Sequence, residues 1–175
     1  METVLYQYHF EWLEYLQNLI PLAVGSGFFT LTFLNMRAQK HRDDIRGFAT
    51  AFSKILGFIG GIIGMLLFLI STLGMLTEHF EYRNALENDS VYSVEGYVQN
   101  FHPMPNEGHD VEHFEISGIY FEYTDYEIMN GYNTTASHGG VITQNGQYLK
   151  IKYIKNEYDN DRNIILYIAE VEPAE

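Results

Sequence analysis

One uncharged run constrains this chain more than any other feature. Residues Ile55 to Leu76 read ILGFIGGIIGMLLFLISTLGML, in which only Ser71 and Thr72 are polar. A helix rises about 1.5 Å per residue, so a run of this length covers the roughly 30 Å hydrocarbon core of a bilayer. The sequence therefore predicts a transmembrane helix over 55–76.

A second uncharged stretch, Leu19 to Met36, precedes it and contains more polar residues. Pro21 is tolerated in a first helical turn, and threonine hydroxyls in such a stretch can bond back to the helix backbone. Extended back to residue 16, the stretch is long enough to span. We expect the two spans, 16–36 and 55–76, to form a membrane hairpin. The aromatic residues before the first span suit an interfacial belt, namely Tyr6, Tyr8, Phe10, Trp12 and Tyr15.

The loop between the spans, residues 37–54, predicts the orientation. It carries five bases, Arg37, Lys40, Arg42, Arg46 and Lys54, against two acids. The positive-inside rule then places this loop in the cytoplasm and both termini outside. No base precedes Arg37, so a cleavable signal peptide is not expected. In a bacterium the chain would be a multi-pass inner-membrane protein whose C-terminal domain is periplasmic.

Charge divides the chain sharply. Up to Thr77 there are five acids and five bases, whereas the remaining 98 residues hold 18 acids and five bases. A formal net charge of −13 argues against binding to a nucleic-acid polymer, which requires a basic face. The acidity serves solubility, or it attracts a cationic protein or a divalent metal. The absence of cysteine excludes disulfides and thiolate zinc sites.

The C-terminal part predicts a small all-β domain. We divide the chain into a membrane domain (1–77), a connector that continues as helix (78–90) and an acidic β domain (91–173). Alternating patterns and turn residues predict five strands, two of them in a hairpin around Ser117-Gly118. In the strand over 147–154, Leu149, Ile151 and Tyr153 should point inward and Lys150 and Lys152 outward. Five short strands favour an OB-like or SH3-like barrel.

The histidines offer two chemical interpretations. Residues His109 to His113 match the letters H-x-x-E-H of some zinc proteases, but that chemistry needs a helix. The flanking residues predict a strand, in which the two histidines lie roughly 13 Å apart. Alternatively His102, His109, His113 and His138, with Glu107 and Asp110, form a metal site or simply bond to loop backbone. We favour the backbone bonds and expect no metal.

Other candidate sites depend on loops and on one basic strand. The acidic run 157–161 has oxygen ligands but lacks the glycine and closing glutamate of a calcium loop, so a solvated loop is favoured. No nucleophile–base pair or phosphate loop is present, and we expect neither an enzyme nor a cofactor. A ligand would meet the loops 102–110 and 130–140 and the basic strand. The candidate binding residues are His102, His109, His138, Gly139, Gly140, Lys150 and Lys152.

The second span carries two overlapping G-x-x-x-G frames. Gly57 and Gly61 form one frame, and Gly60 and Gly64 form the other. Small residues at this spacing let helix backbones approach closely, either within the hairpin or between subunits. Gly25 and Gly27 offer a matching surface on the first span. We expect self-association into a homo-oligomer in the lipid bilayer.

Two runs in the β domain carry a resemblance: Phe101-His102-Pro103-Met104-Pro105 and Ser137-His138-Gly139-Gly140. On these runs, over about residues 80–172, the chain resembles a family of small bacterial membrane proteins of uncharacterised activity. The resemblance implies two N-terminal membrane helices and a compact OB-like domain, but no site residues. More loosely, the layout is similar to antiphage membrane effectors that sense a cyclic oligonucleotide and then disrupt the membrane.

Two functions follow as expectations. The first is a non-enzymatic membrane protein whose acidic β domain binds a ligand or protein partner. The alternative is a membrane effector gated by a cyclic oligonucleotide, which would place the β domain in the cytoplasm. The net charge of −13 and the outward topology both weigh against the alternative.

Overall fold

The computed structural model describes residues 1–9, 16, 19–39, 47–105, 110–126, 130–156 and 162–173. The chain divides into two compact units. Residues 10–80 form a helical unit, and residues 1–9 together with 81–175 form a sheet unit. The predicted boundaries differ, because they assigned the first nine residues to the membrane domain.

Two helices supply the helical unit: α1, Leu19–Gln39, and α2, Gly47–Glu87. Their stretches Leu19–Arg37 and Ala51–Glu87 are long and apolar enough to cross a membrane, as predicted. At about 1.5 Å per residue, the 41 residues of α2 measure roughly 60 Å, twice the thickness of a bilayer core. The connector is therefore helical to Glu87, and the last residues of α2, 81–87, belong to the sheet unit.

All four predicted glycines of α2 face α1. A Cβ atom added at Gly64 would lie 2.6 Å from Gly25 Cα, so the two backbones nearly touch at this crossing. A Cβ added at Gly57, Gly60 or Gly61 would meet the side chain of Thr32, Phe28 or Phe29, respectively. The sequence left open whether these frames serve the hairpin or a second subunit; here they serve the hairpin. A Cβ added at Gly27, the other residue of the predicted partner surface, would meet no atom of another described element within 4 Å.

The described residues of the sheet unit form one antiparallel sheet of six strands, with spatial order β1-β6-β5-β2-β3-β4. The strands are β1 Glu2–Gln7, β2 Tyr92–His102, β3 Glu112–Ile116, β4 Ile119–Tyr123, β5 Tyr148–Asn156 and β6 Arg162–Val171. The predicted hairpin is confirmed, with Ser117 and Gly118 at φ 51° and 79° between β3 and β4.

The sheet differs from the predicted five-stranded barrel in two respects. It has a sixth strand, β1, which pairs with β6 about 160 residues away. Its described strands also do not close into a barrel, because β4 and β6 are not paired through their backbones. Side chains link β4 to the start of β6 instead: Asn163 Nδ2 donates to Tyr120 O at 2.8 Å, and Arg162 Nε lies 3.2 Å from Glu122 Oε1. An OB-like or SH3-like relationship stays a prediction.

Each face of the sheet is packed against a different cluster of side chains. The inner core is fully buried and comprises Val98, Phe114, Ile116, Phe121, Tyr123, Ile142, Leu149, Ile151 and Ile168. The predicted inward orientation of Leu149, Ile151 and Tyr153 is confirmed. On the outer face, Ile164 and Leu166 of β6 are buried with Tyr82 of α2. Residues 81–87 of α2 therefore cover part of the outer face.

Two of the aromatics assigned to an interfacial belt lie in the sheet unit instead. The Tyr6 ring packs edge-on against Tyr132 at a centroid distance of 4.9 Å, and Tyr8 packs against Tyr82 at 5.4 Å. Tyr6 lies in β1 and Tyr8 directly after it, so both rings pack within the sheet unit, and a place in an interfacial belt stays a prediction. Phe10, Trp12 and Tyr15 lie outside the described residues.

Candidate functional site

The basic strand predicted as a phosphate site is engaged within the sheet unit. Lys150 Nζ lies 3.4 Å from Glu2 Oε2, and Lys152 Nζ lies 2.6 Å from Asp89 Oδ1. The hydrogen bond from Lys152 lowers the pKa of Asp89 below its ordinary value. The pKa of Glu2 is also lowered, mainly by the hydrogen bond from Tyr167 and to a smaller extent by the contact with Lys150. Both lysines point outward as predicted, but each is already paired with a carboxylate.

The other three bases of the sheet unit are also engaged. Arg83 Nε lies 2.7 Å from Glu87 Oε1, and Arg162 pairs with Glu122. Lys155 Nζ lies 5.8 Å from the centre of the Tyr92 ring, a cation–π distance. All five bases of this unit are among the described residues, and each has an acidic or aromatic partner. Four of the five bases are therefore in ion pairs with carboxylates, and the exposed Lys155 contacts an aromatic ring.

The loop after residue 130 is organised around Asp125. Its Oδ2 accepts hydrogen bonds from Thr135 Oγ1 at 2.6 Å and from His138 Nδ1 at 2.5 Å. Partial burial by itself raises the pKa of Asp125, but the bonds from Thr135 and His138 outweigh it and lower the pKa below its usual value. The ionised carboxylate orients the exposed His138 ring through Nδ1. The arrangement resembles the base-orienting half of a catalytic triad.

Both predicted glycines in this loop have structural roles. Gly139 ends the short 3-10 helix Ala136–His138 at φ 91°, a left-handed conformation that glycine adopts without strain. At Gly140, a Cβ would lie 2.3 Å from Thr134 O, so only glycine fits beside that carbonyl group. Ligand binding by these two residues stays a prediction.

A buried carboxylate that the sequence interpretation did not select joins the two predicted loops. Glu112, the glutamate of the H-x-x-E-H letters, is fully buried on β3. Its carboxylate accepts hydrogen bonds from Tyr123 Oη at 2.5 Å, Met104 N at 3.3 Å and Ala136 N at 3.0 Å. Burial and the bond to Glu112 raise the pKa of Tyr123 far above its ordinary value. The residue thus links the loops after β2 and after residue 130 and is not placed as a catalytic base.

A signal for Glu112 was present in the sequence. Along β3, Glu112, Phe114 and Ile116 alternate with His113 and Glu115, and the structure buries the first three. Period-two alternation therefore placed Glu112 on the inner face, where a carboxylate requires hydrogen-bond partners. The partners come from distant loops, and the sequence did not indicate them.

The remaining histidines form a stacked pair. The rings of His102 and His113 lie with centroids 4.8 Å apart and 20° between their planes. His102 Nε2 is 3.9 Å from Asp110 Oδ2. Within the described part of the chain, no group of three or more His, Asp or Glu could hold a metal ion. His109 and Glu107 lie outside the described residues, as does the acidic run 157–161.

The outward side of β2, β3 and β4 carries tyrosines and glutamates. Strand register places Glu115 between Gln99 and Tyr120, and Tyr97 opposite Tyr148. The Tyr97 and Tyr148 rings meet edge-on at 4.8 Å, and Tyr148 Oη donates to Glu95 Oε1 at 3.2 Å. Tyr97 and Tyr120 expose 49% and 44% of their surface. The sequence patterns did not indicate this surface.

Comparison with protein-family models, with curated proteins and with solved structures found no match to this chain. The resemblance to a family of small membrane proteins accordingly stays a prediction.

Proposed function

We propose that this chain is a non-enzymatic, membrane-anchored module whose acidic sheet unit binds a cationic partner protein. One observation carries the proposal: the five bases of the sheet unit are all engaged, whereas its 18 acids outnumber them by 13. The unit therefore presents an excess of carboxylates to its surroundings. Such a field attracts positively charged partners and raises their association rates.

The order of the strands in the chain supports the membrane hairpin. Strand β1 precedes α1, whereas β2 to β6 follow α2. Because β1 pairs with β6, both parts must lie on the same side of a bilayer. The chain between them can cross a bilayer only an even number of times, so α1 and α2 either both span or neither does. The basic loop 37–54 then favours a periplasmic sheet unit in a bacterial inner membrane.

The cyclic-oligonucleotide effector remains the second candidate, on one observation. Helix α2 runs without interruption from the apolar stretch into the sheet unit, so ligand binding at the sheet could bias the spans. Against it, free Lys or Arg side chains are the strongest donors to a nucleotide phosphate, and Lys150 and Lys152 are paired. Self-association is also a proposal, and the glycine frames do not support it because they contact α1.

A binding titration separates the two functions. The full chain in nanodiscs of zwitterionic lipid would be titrated with a deca-lysine peptide and with a panel of cyclic di-, tri- and tetranucleotides. We expect the peptide to bind and its affinity to fall steeply with salt, since the charges are exposed. Thermal stabilisation by a cyclic nucleotide that is lost in the Lys150→Glu, Lys152→Glu double variant would instead establish the effector. An absence of peptide binding at low salt would refute the proposal.

A further inference from the structure

Among the described residues, the outer face of the sheet has a buried part and a part whose tyrosines are exposed. Over β6 the apolar Ile164 and Leu166 are buried beneath Tyr82 of α2. Over β2, β3 and β4 the outward residues are instead tyrosines, glutamates and histidines. We call the second surface the open face and define it by Tyr97, Gln99, His113, Glu115, Tyr120 and Glu122.

The chemistry of the open face is that of a protein interface. Tyr97 and Tyr120 present large, rigid and amphipathic rings, the residue type most enriched at binding hot spots. Strand pairing holds Glu115 directly beside Tyr120. Burial raises the pKa of Tyr120, and the carboxylates of Glu122 and Glu115 raise it further. The Tyr120 hydroxyl group donates to Glu122 Oε2 at 3.2 Å. Arg162 contacts this surface, and it is paired with Glu122.

We infer that the open face docks a Lys- or Arg-rich segment of the cationic partner, an inference that rests on the proposed function. A basic side chain seated over Tyr97 or Tyr120 gains a cation–π contact, and its charged group reaches the Glu115 carboxylate. Charge complementarity selects this occupant, because a second copy of the acidic unit would repel the first.

The segment lies across the face and does not extend the sheet at β4. The carbonyl oxygen of Tyr120 already accepts a hydrogen bond from Asn163 Nδ2. Arg162 and Glu122 close the same edge through their ion pair. An added strand would have to break both contacts, whereas a segment lying on the rings would break neither.

The inference is tested by peptide affinity to matched variants of the full chain in zwitterionic nanodiscs. In Tyr97→Ala with Tyr120→Ala we expect deca-arginine to bind about tenfold more weakly, from two lost cation–π contacts of about 0.5–1 kcal/mol each. The control is Tyr126→Ala, which removes another exposed tyrosine outside the open face. It should bind like the unmodified chain.

A second pair of variants separates local contact from total charge. Glu115→Gln and Glu172→Gln remove the same charge, but only Glu115 lies on the open face. We expect only Glu115→Gln to weaken binding, by about threefold. Thermal unfolding identifies any variant that has lost its fold, and Tyr97→Phe with Tyr120→Phe then replaces the alanine pair and should keep the affinity.

The outcomes distinguish the two levels of the proposal. Binding that is equal in the open-face variants and their controls would overturn the open face and leave the cationic partner standing. Equal weakening by Glu115→Gln and Glu172→Gln would likewise assign the affinity to total charge and overturn the open face. No binding by the unmodified chain would refute the proposed function itself.

Discussion

The helical unit and the sheet unit are each held together internally by a different kind of residue, glycine in the first and large apolar side chains in the second. In the helical unit large apolar side chains such as Leu31 and Ile70 are exposed by 67% and 66%, and glycines form the contact between helices. In the sheet unit Phe114, Ile116 and Phe121 are fully buried. Water favours the burial of large apolar groups, whereas lipid is as apolar as leucine and favours close backbone packing. The difference teaches that the exposed apolar surface of the helical unit suits lipid, whereas the buried core of the sheet unit suits water.

The two units also treat charge differently. Neither α1 nor the part of α2 up to Thr77 contains an acidic residue. The sheet unit, by contrast, holds a fully buried carboxylate, Glu112, satisfied by hydrogen bonds from three groups. Ionised groups are costly in either interior, and only the sheet unit supplies the donors that offset the cost.

The largest expected effect is on chemical labelling, which is all-or-none. Since the chain has no cysteine, single cysteines introduced by Thr3→Cys, Glu172→Cys and Arg42→Cys give no background. With a membrane-impermeant maleimide on intact spheroplasts, we expect labelling at positions 3 and 172 and none at 42. The reason is that the β1–β6 pairing holds both ends of the sheet unit on one side.

Two other labelling patterns would change the comparison. Labelling at only one of positions 3 and 172 would contradict the pairing of β1 with β6, because the two strands would then lie on opposite sides of the membrane. Labelling at position 42 alone would place the sheet unit in the cytoplasm and strengthen the nucleotide-gated alternative. Permeabilised cells, in which all three positions should react, serve as the control.

The next effect is on the stability of the sheet unit. Glu112→Ala should lower the free energy of unfolding by about 3–5 kcal/mol, because it leaves several buried donors without an acceptor at about 1–3 kcal/mol each. Urea unfolding followed by tyrosine fluorescence measures it. The control, Glu115→Ala, removes an outward glutamate from the same strand and should cost below about 1 kcal/mol. Equal losses in the two variants would show that Glu112 does not join the loops.

The smallest effect is on the hairpin. Gly64→Ile should separate α1 from α2, since its Cβ would lie 2.6 Å from Gly25 Cα, and we expect a loss of about 1–3 kcal/mol from overpacking. Gly74→Ile is the matched control, because no atom lies within 4 Å of a Cβ at Gly74. Forster transfer between labels on the two helices measures the separation. If Gly64→Ile leaves the helix separation unchanged but alters the oligomeric state, the glycine frames form a contact between subunits and not within the hairpin.

Local patterns predicted much of the fold. The 22-residue apolar run predicted the membrane-length part of α2, and alternation predicted the inward side of β5. The Ser117-Gly118 turn was predicted because the sequence alternates on both sides of it, and both residues adopt positive φ in the structure. Each of these features depends on residues close together in the chain.

The candidate site was less predictable. The loops containing His102 and His138 were selected, and Glu112 connects their neighbours Met104 and Ala136. The basic strand was selected for its charge, but its partners Glu2 and Asp89 lie far away in sequence. Unpaired charge is a property of the folded surface, and composition alone does not reveal it.

The sequence by itself determined the two apolar helices, the outward lysines of β5 and the acidity of the second unit, because these follow from periodicity, length and charge count. Only the tertiary structure decided that Glu2–Gln7 is a strand and that the glycines of α2 contact α1. It also decided that Lys150 and Lys152 are neutralised. The physical reason is shared: pairing, close packing and ion pairs depend on distances between groups remote in the chain, which no local pattern contains.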